Sequence, residues 1–364
     1  MADRPQFLDP GLTSVELARA ICDIESVSGG ETALADAVEA FVSGAAHLDV
    51  TRLGNTVVAR TELGRAHRVA VAGHLDTVPV NGNLPVRLET DGGVDYLVGR
   101  GTVDMKSGVA VQLRLALDLA EPAYDVTWIW YDNEEVAASL NGLGRLANAR
   151  PELVAADFAI LGEPSGGVIE GGCNGTMRFD VVTRGVRAHS ARPWMGSNAI
   201  HAAAPILDLL ARFHPETVDV DGLAYRESLN ATLISGGVAA NVIPDECTVH
   251  INYRFAPSRS ADEAEQRMRE LFGPFGEVHV VDLSPGARPG LDAPLARSFA
   301  ESVGGEPQPK YGWTDIARFA ALGVPGVNFG PGEASLAHTD HERVAVADVE
   351  RCEAALRAWL TDGR

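Results

Sequence analysis

At 364 residues and 46% hydrophobic side chains, the chain is long for a single core, so two domains are expected; no low-complexity run argues for disorder. A formal net charge of −20 repels phosphate backbones, which excludes nucleic acid as an expected partner. The apolar runs are short and broken by charge or glycine, and Met1-Ala2-Asp3-Arg4-Pro5 lacks a signal-peptide pattern, so no membrane partner and a cytoplasmic location are expected.

In chain order, Leu17, Ala18, Ile21 and Ile24 recur at helical spacing behind Thr13 or Ser14 as cap, predicting a helix over Thr13–Ile24. Ser26-Val27-Ser28-Gly29-Gly30 ends it, and a second helix runs from Glu31 to Ser43. Strands are expected at Leu48–Leu53, Thr56–Thr61 and His67–Ala72, the last delivering the chain to Gly73-His74. The polar stretch between Pro79 and Arg100 reads as loop and hairpin, and Ser107–Leu119 as a helix. Asp125–Tyr131 and Phe158–Leu161 are apolar runs of strand length, ending at Asp132-Asn133-Glu134-Glu135 and Gly162-Glu163-Pro164.

From Asn174 the texture changes. Strands at Thr176–Thr183, Asn230–Ser235 and Cys247–Phe255 and helices at Ala199–Phe213 and Ala261–Phe272 make a β-rich α+β unit that looks inserted. The α/β pattern then resumes with Leu291–Val303, a Trp313–Leu322 helix, a Val324–Phe329 strand and a Val346–Leu360 helix. The expected fold class is α/β with an inserted α+β domain, divided as 1–174 plus 284–364 and 175–283.

Chemistry concentrates at the strand ends, where open α/β sheets bind ligands. His74 can ligate a metal, with Asp76 two residues on as a carboxylate partner for its other ring nitrogen, and Asp104 is a further ligand expected at the next strand end. Glu134 and Glu135 are adjacent, so both reach one site only if the chain turns there; Glu163 ends a fourth strand. The four cysteines are scattered without a CxxC or CxxH pair, and imidazole with carboxylates suits catalytic Zn²⁺, with Co²⁺ or Mn²⁺ able to substitute. Two metals about 3.5–4 Å apart need a carboxylate bridge and a terminal His on each side. The second His is His338 or His341, while His189 in the inserted unit reads as a loop residue or as a donor to charge developing on a carbonyl oxygen.

Assembled, these segments resemble the M20 family of dinuclear zinc hydrolases. Gly73–Pro79, Gly101–Gly108, Glu134-Glu135, Gly162-Glu163-Pro164, Ala188-His189-Ser190 with Gly196–Ile200, and Ala337-His338 arrive in that family's order over nearly the whole chain. The resemblance implies a catalytic domain built on a central mixed sheet and an inserted lid and dimerisation domain. It implies that His74 and Glu163 hold one zinc, Glu135 and His338 the other, and Asp104 bridges them, with Asp76 orienting His74 and Glu134 as general base. His338 is preferred to His341 because the family's ligand follows a small residue in a pattern like Ala-His-x-x-x-Glu. His189 is implied to serve the neighbouring subunit's site in a homodimer, and Arg254 and Asn241 match positions that hold substrate.

Within the family the likeness is strongest to the actinobacterial type of succinyl-diaminopimelate desuccinylase, across Cys173–Thr176, Tyr253–Phe255, Lys310–Asp315 and Asn328–Gly332. It implies a small N-acyl amino acid as substrate. Asn174 departs from those desuccinylases that carry an Arg before the glycine, which passes the succinyl carboxylate to Arg178 or Arg254. Acetylornithine deacetylase or another aminoacylase or dipeptidase is the same chemistry with another pocket. A metal-free binding protein of the same fold is the contrasting class, disfavoured because neither the base nor any ligand is missing.

Overall fold

The computed structural model describes residues 7–363; the Met1–Pro5 segment lies outside the described residues. The chain divides into two compact units. One comprises the chain up to Gly171 with Pro289–Gln308 and the part from Thr314 onward, the other Gly172–Arg288 with Pro309–Trp313. The second unit thus begins at Gly172 rather than 175, ends at Arg288 rather than 283, and takes in a short return segment.

The first unit is built on a mixed sheet. Asp49–Leu53, Thr56–Arg60, Asp125–Tyr131, Arg68–His74, Phe158–Leu161, Gly326–Asn328 and Glu170–Gly171 follow one another across it. Arg68–His74 runs parallel to both Asp125–Tyr131 and Phe158–Leu161, with His74 level with Tyr131 and Ala72 with Leu161. Three strand ends therefore open on the same edge. The strand Asp125–Tyr131, antiparallel to Thr56–Arg60 on one side and parallel to Arg68–His74 on the other, is buried along its whole length, as an interior strand covered on both faces must be.

Helices Ser14–Cys22, Thr32–Ser43, Lys106–Asp118, Pro294–Val303 and Val346–Asp362 pack Leu17, Ile21, Phe41, Val109, Phe299 and Trp359 into one core with Trp128 and Trp130 of the sheet. Thr13 starts the first helix through a capping box with Glu16. Gly108 lets the Lys106–Asp118 helix press onto the strand end that leads to Glu163, since a Cβ there would stand 2.2 Å from the Gly162 carbonyl oxygen. The hairpin Arg87–Asp91 and Val94–Val98 joins Arg343–Ala345 in a separate three-stranded sheet. That pairing brings residues 99–104 alongside residues 338–342.

The second unit centres on a four-stranded antiparallel sheet in the order Ser228–Gly236, Glu246–Phe255, Gly175–Arg184, Glu277–Ser284. Alternate residues of Glu246–Phe255 are buried, and Met177, Phe179, Val249 and Ile251 pack against Met268 and Phe272 of the Ala261–Phe272 helix. The helix expected over Ala199–Phe213 is two, Ala199–Ala202 and Ala204–Ala211. Pro205 explains the break, because it lacks an N–H and its ring clashes with the preceding turn unless it sits in a first turn. Thr217–Val220 and Leu223–Arg226 form a hairpin about Asp221-Gly222, whose positive φ values (52° and 86°) suit that dipeptide. No helix among the described residues is long and apolar enough to cross a membrane.

Candidate metal centre

His74 is the last residue of its strand and is buried. Its Nδ1 lies 2.9 Å from the Asp76 backbone carbonyl, so that nitrogen carries a proton, and Nε2 faces the Asp104 Oδ1 at 3.0 Å. The orienting group is therefore the Asp76 carbonyl rather than its carboxylate, which stands 3.6 Å from Nδ1. The carboxylate is engaged elsewhere: Oδ1 accepts the Glu134 N–H at 2.9 Å, and Oδ2 accepts the Glu135 N–H at 3.1 Å and the Ser28 hydroxyl at 2.7 Å.

The neighbouring amide is held in the same way. The Asn133 N–H donates to Glu31 Oε1 at 3.2 Å, and Asn133 takes a left-handed φ of 58°. This is the turn that lets Glu134 and Glu135 face one place: one ligand atom from each, with one from His74, all lie within 4.8 Å of one another. Ser28 and Glu31 are functional neighbours that pattern reading does not single out. Only their position before a helix start marks them in the sequence.

Asp104 was expected at a strand end. It sits instead in the turn before the Lys106–Asp118 helix, because the preceding strand Val94–Val98 belongs to the separate small sheet. His338 lies in a loop with a left-handed φ of 64°, a conformation that a non-glycine residue holds only where its surroundings impose it. Its Nε2 is 3.2 Å from Asp104 Oδ2 and 2.8 Å from Glu135 Oε1. The two histidines thus meet opposite oxygens of one carboxylate. Potential donor atoms fall into the groups His74, Asp104, Glu163 and Asp104, Glu135, His338, each within 4.8 Å, with Asp104 common to both. His341 is exposed and belongs to neither.

Protonation in the metal-free protein reflects the crowding of anions. Burial pushes the His74 pKa down, but the hydrogen bond and charge of Asp104 outweigh it and hold it well above the usual value. Hydrogen bonds to Asp104 and Glu135 raise His338 to about 10. Burial pushes Asp104 up, yet the hydrogen bonds from His338 and His74 prevail and keep it well below the carboxylate range. Burial lifts Glu134 well above its usual value, opposed by the charge of His74 and aided by Asp315, Glu163 and Glu135. Oxygen and imidazole donors with no thiolate and one carboxylate shared by two donor groups fit a pair of divalent cations, which would displace the protons that the two histidines hold among the carboxylates.

The remaining candidates lie in the second unit. The short strand Ala188–His189 pairs with Val242–Ile243, which brings His189 beside Asn241, whose carbonyl accepts the Ser190 N–H at 2.9 Å. His189 is exposed, and its Nδ1 accepts the Ala191 N–H at 3.1 Å, leaving Nε2 as the donor of the neutral ring. Arg254 is half-buried and pairs with Thr176 in the sheet, on the same face as Arg178 two positions along. Arg178 is engaged with Asp282 at 3.2 Å. Asn174 is buried and donates to the carbonyls of Arg226 and Tyr311 at 3.0 and 3.2 Å, so its amide holds backbone.

Comparison with known proteins places these groups in context. Residues 70–362 match the model of peptidase family M20/M25/M40. A Mycobacterium tuberculosis protein whose given name, succinyl-diaminopimelate desuccinylase, is provisional is 50% identical over 348 residues, covering 95% of this chain and 97% of its own length. The succinyl-diaminopimelate desuccinylase of Corynebacterium glutamicum is 44% identical over 369 residues, covering 98% and 99%. In fold, a tripeptidase from Staphylococcus aureus superposes with a TM-score of 0.77 at 21% identity, covering 95% of this chain and 96% of that one. The chain belongs to peptidase family M20/M25/M40, a family of dinuclear metal-dependent amidohydrolases.

Proposed function

We propose that this chain is a succinyl-diaminopimelate desuccinylase, hydrolysing the amide of N-succinyl-LL-2,6-diaminopimelate to succinate and LL-2,6-diaminopimelate, as its likeness to the Corynebacterium glutamicum enzyme over nearly the whole chain supports. Two zinc ions are the assigned cofactors, with cobalt or manganese able to substitute. His74 and Glu163 would hold one, Glu135 and His338 the other, and Asp104 both. The observation that carries this assignment is the presence of Asp104 in two separate donor groups. When bound, such a pair lowers the pKa of water toward neutrality and polarises the scissile carbonyl.

The side chains supply the rest. Glu134 takes a proton from the attacking water and delivers it to the departing amine nitrogen, a task suited to a carboxylate whose burial makes it more basic than usual. His189, with Nε2 as donor, stabilises the charge that develops on the carbonyl oxygen. Arg254 pairs with a substrate carboxylate, and its planar guanidinium suits bidentate recognition. Asn241 and Arg178 complete the substrate contacts, and Arg178 must leave Asp282 to do so.

His189 acts on the neighbouring subunit's site in a homodimer. The strand Ser228–Gly236 lies at the edge of its sheet, and Leu233 (62% exposed), Ile234 (47%) and Val238 (66%) present apolar surface on or just beyond it. A second copy related by a twofold axis would cover that edge. Four free, buried cysteines accord with a reducing cytoplasmic location.

The testing experiment loads purified protein with zinc and compares hydrolysis of N-succinyl-diaminopimelate with that of N-acetylornithine. Preference for the acetyl substrate would overturn the substrate assignment and leave the reaction class standing.

A further inference from the structure

We propose that Glu342 is a positioning residue for the metal centre, fixing the backbone of Asp104 and the loop of His338 in one register. The inference rests on the reading of the site as a metal centre and adds a residue that the ligand set does not contain. Glu342 follows His338 by four residues and is 1% exposed. One oxygen, Oε1, accepts the backbone N–H groups of Val103 at 2.9 Å and Asp104 at 3.1 Å, and the other accepts Arg100 Nη1 at 2.8 Å.

The tie runs both ways. The Glu342 carbonyl accepts the Gly99 N–H at 3.0 Å, and Arg100, also buried, reaches back to the Thr339 carbonyl at 3.4 Å, next to His338. Neither Glu342 oxygen is in a donor group of the site.

A buried carboxylate is costly unless its oxygens are met by donors, and here both are met by the segment that presents Asp104. Asp104 belongs to two of the three donor groups, the pair proposed to hold one ion each, so a shift of its backbone disturbs both ions at once. His338 holds a left-handed φ and needs its loop anchored. Glu342 secures the two from behind, much as Asp76 secures Glu134 and Glu135.

A simple buried ion pair with Arg100 is the competing account, and the variants separate them. Glu342→Asp keeps the charge that Arg100 requires but draws the oxygens back by one methylene. Arg100→Met/Glu342→Gln removes the ion pair and keeps an amide acceptor, whereas Arg100→Met/Glu342→Leu removes both. Cobalt affinity and the visible absorption spectrum of the cobalt-loaded full chain are the readouts, with thermal unfolding of the metal-free protein recorded alongside.

Glu342→Asp and the leucine pair should bind cobalt about 10- to 100-fold more weakly, the usual loss when a group behind a ligand is removed, with an altered spectrum. The glutamine pair should keep the wild-type affinity and spectrum. If the leucine pair does not fold, Glu342→Asp decides alone. Wild-type affinity and spectrum in Glu342→Asp, or a loss in the glutamine pair as large as in the leucine pair, would overturn the inference while the wild-type protein still bound two ions. A wild-type protein that bound no cobalt would overturn the metal-centre reading itself.

Discussion

The carboxylate of Asp76 accepts the backbone N–H of Glu134 at 2.9 Å, so a residue two positions from His74 fixes the segment that carries the proposed base. Asp76→Asn would put an amide N–H₂ against one of its three donors, the N–H groups of Glu134 and Glu135 and the Ser28 hydroxyl. Turnover of the variant should fall about 10- to 100-fold, as for other groups behind a metal ligand. Ser28→Ala should move it the same way by less. Steady-state rates on zinc-loaded protein check this, and an unchanged rate in Asp76→Asn would show that the Glu134 backbone needs no such anchor.

Glu134 is outside both donor groups that contain Asp104. Glu134→Ala should therefore retain two zinc ions per chain by elemental analysis while losing about 10²- to 10⁴-fold or more in turnover. Loss of zinc instead would mean that Glu134 and Glu135 have exchanged roles.

Acid stability gives a check well away from the metal centre. Burial pushes the Asp125 pKa up, but the N–H groups of Leu63 and Arg65, at 2.7 and 2.9 Å, outweigh it and hold it below the usual value. A depressed folded pKa means stability that is present above the unfolded pKa of about 3.9 and lost as the pH falls through the folded value. Asp125→Asn should therefore be less stable by about 1–3 kcal/mol at neutral pH, with the gap to wild type closing in acid. Urea unfolding at both ends of this range measures it; a gap independent of pH would show that the charge plays no part.

Sharing of sites across a dimer predicts complementation. A His189→Ala chain mixed with a Glu134→Ala chain should regain part of the activity that each lacks, because one of the two sites in the heterodimer then has both residues. Absence of recovery in verified heterodimers would place His189 in its own subunit's site or outside catalysis.

Much of the site is legible because strands report themselves locally. The buried runs Asp125–Tyr131 and Phe158–Leu161 have the bounds expected from their apolar stretches, and both lie parallel to the strand ending at His74. That alone puts His74, Glu134, Glu135 and Glu163 at one edge. Asp104 was harder to place, since nothing local says that the Val94–Val98 strand pairs with Arg343–Ala345 instead of joining the main sheet.

Backbone partners are the least legible. Which oxygen of Asp76 meets the His74 ring, and which amides Glu342 and Glu31 accept, depend on segments that are distant in sequence. Two departures do carry a local signal: Pro205 inside a helical pattern, and the Asp221-Gly222 dipeptide that turns a hairpin.

Asp104 is proposed to join two ions in a desuccinylase. Its most direct test is the turnover of N-succinyl-LL-2,6-diaminopimelate by wild type and Asp104→Ala at measured zinc content. The expected result is two zinc ions per wild-type chain with rapid release of succinate, and loss of both tight zinc binding and turnover in the variant. Wild-type protein that carried two zinc ions and left this substrate intact, or an Asp104→Ala variant that kept both ions and full turnover, would contradict it.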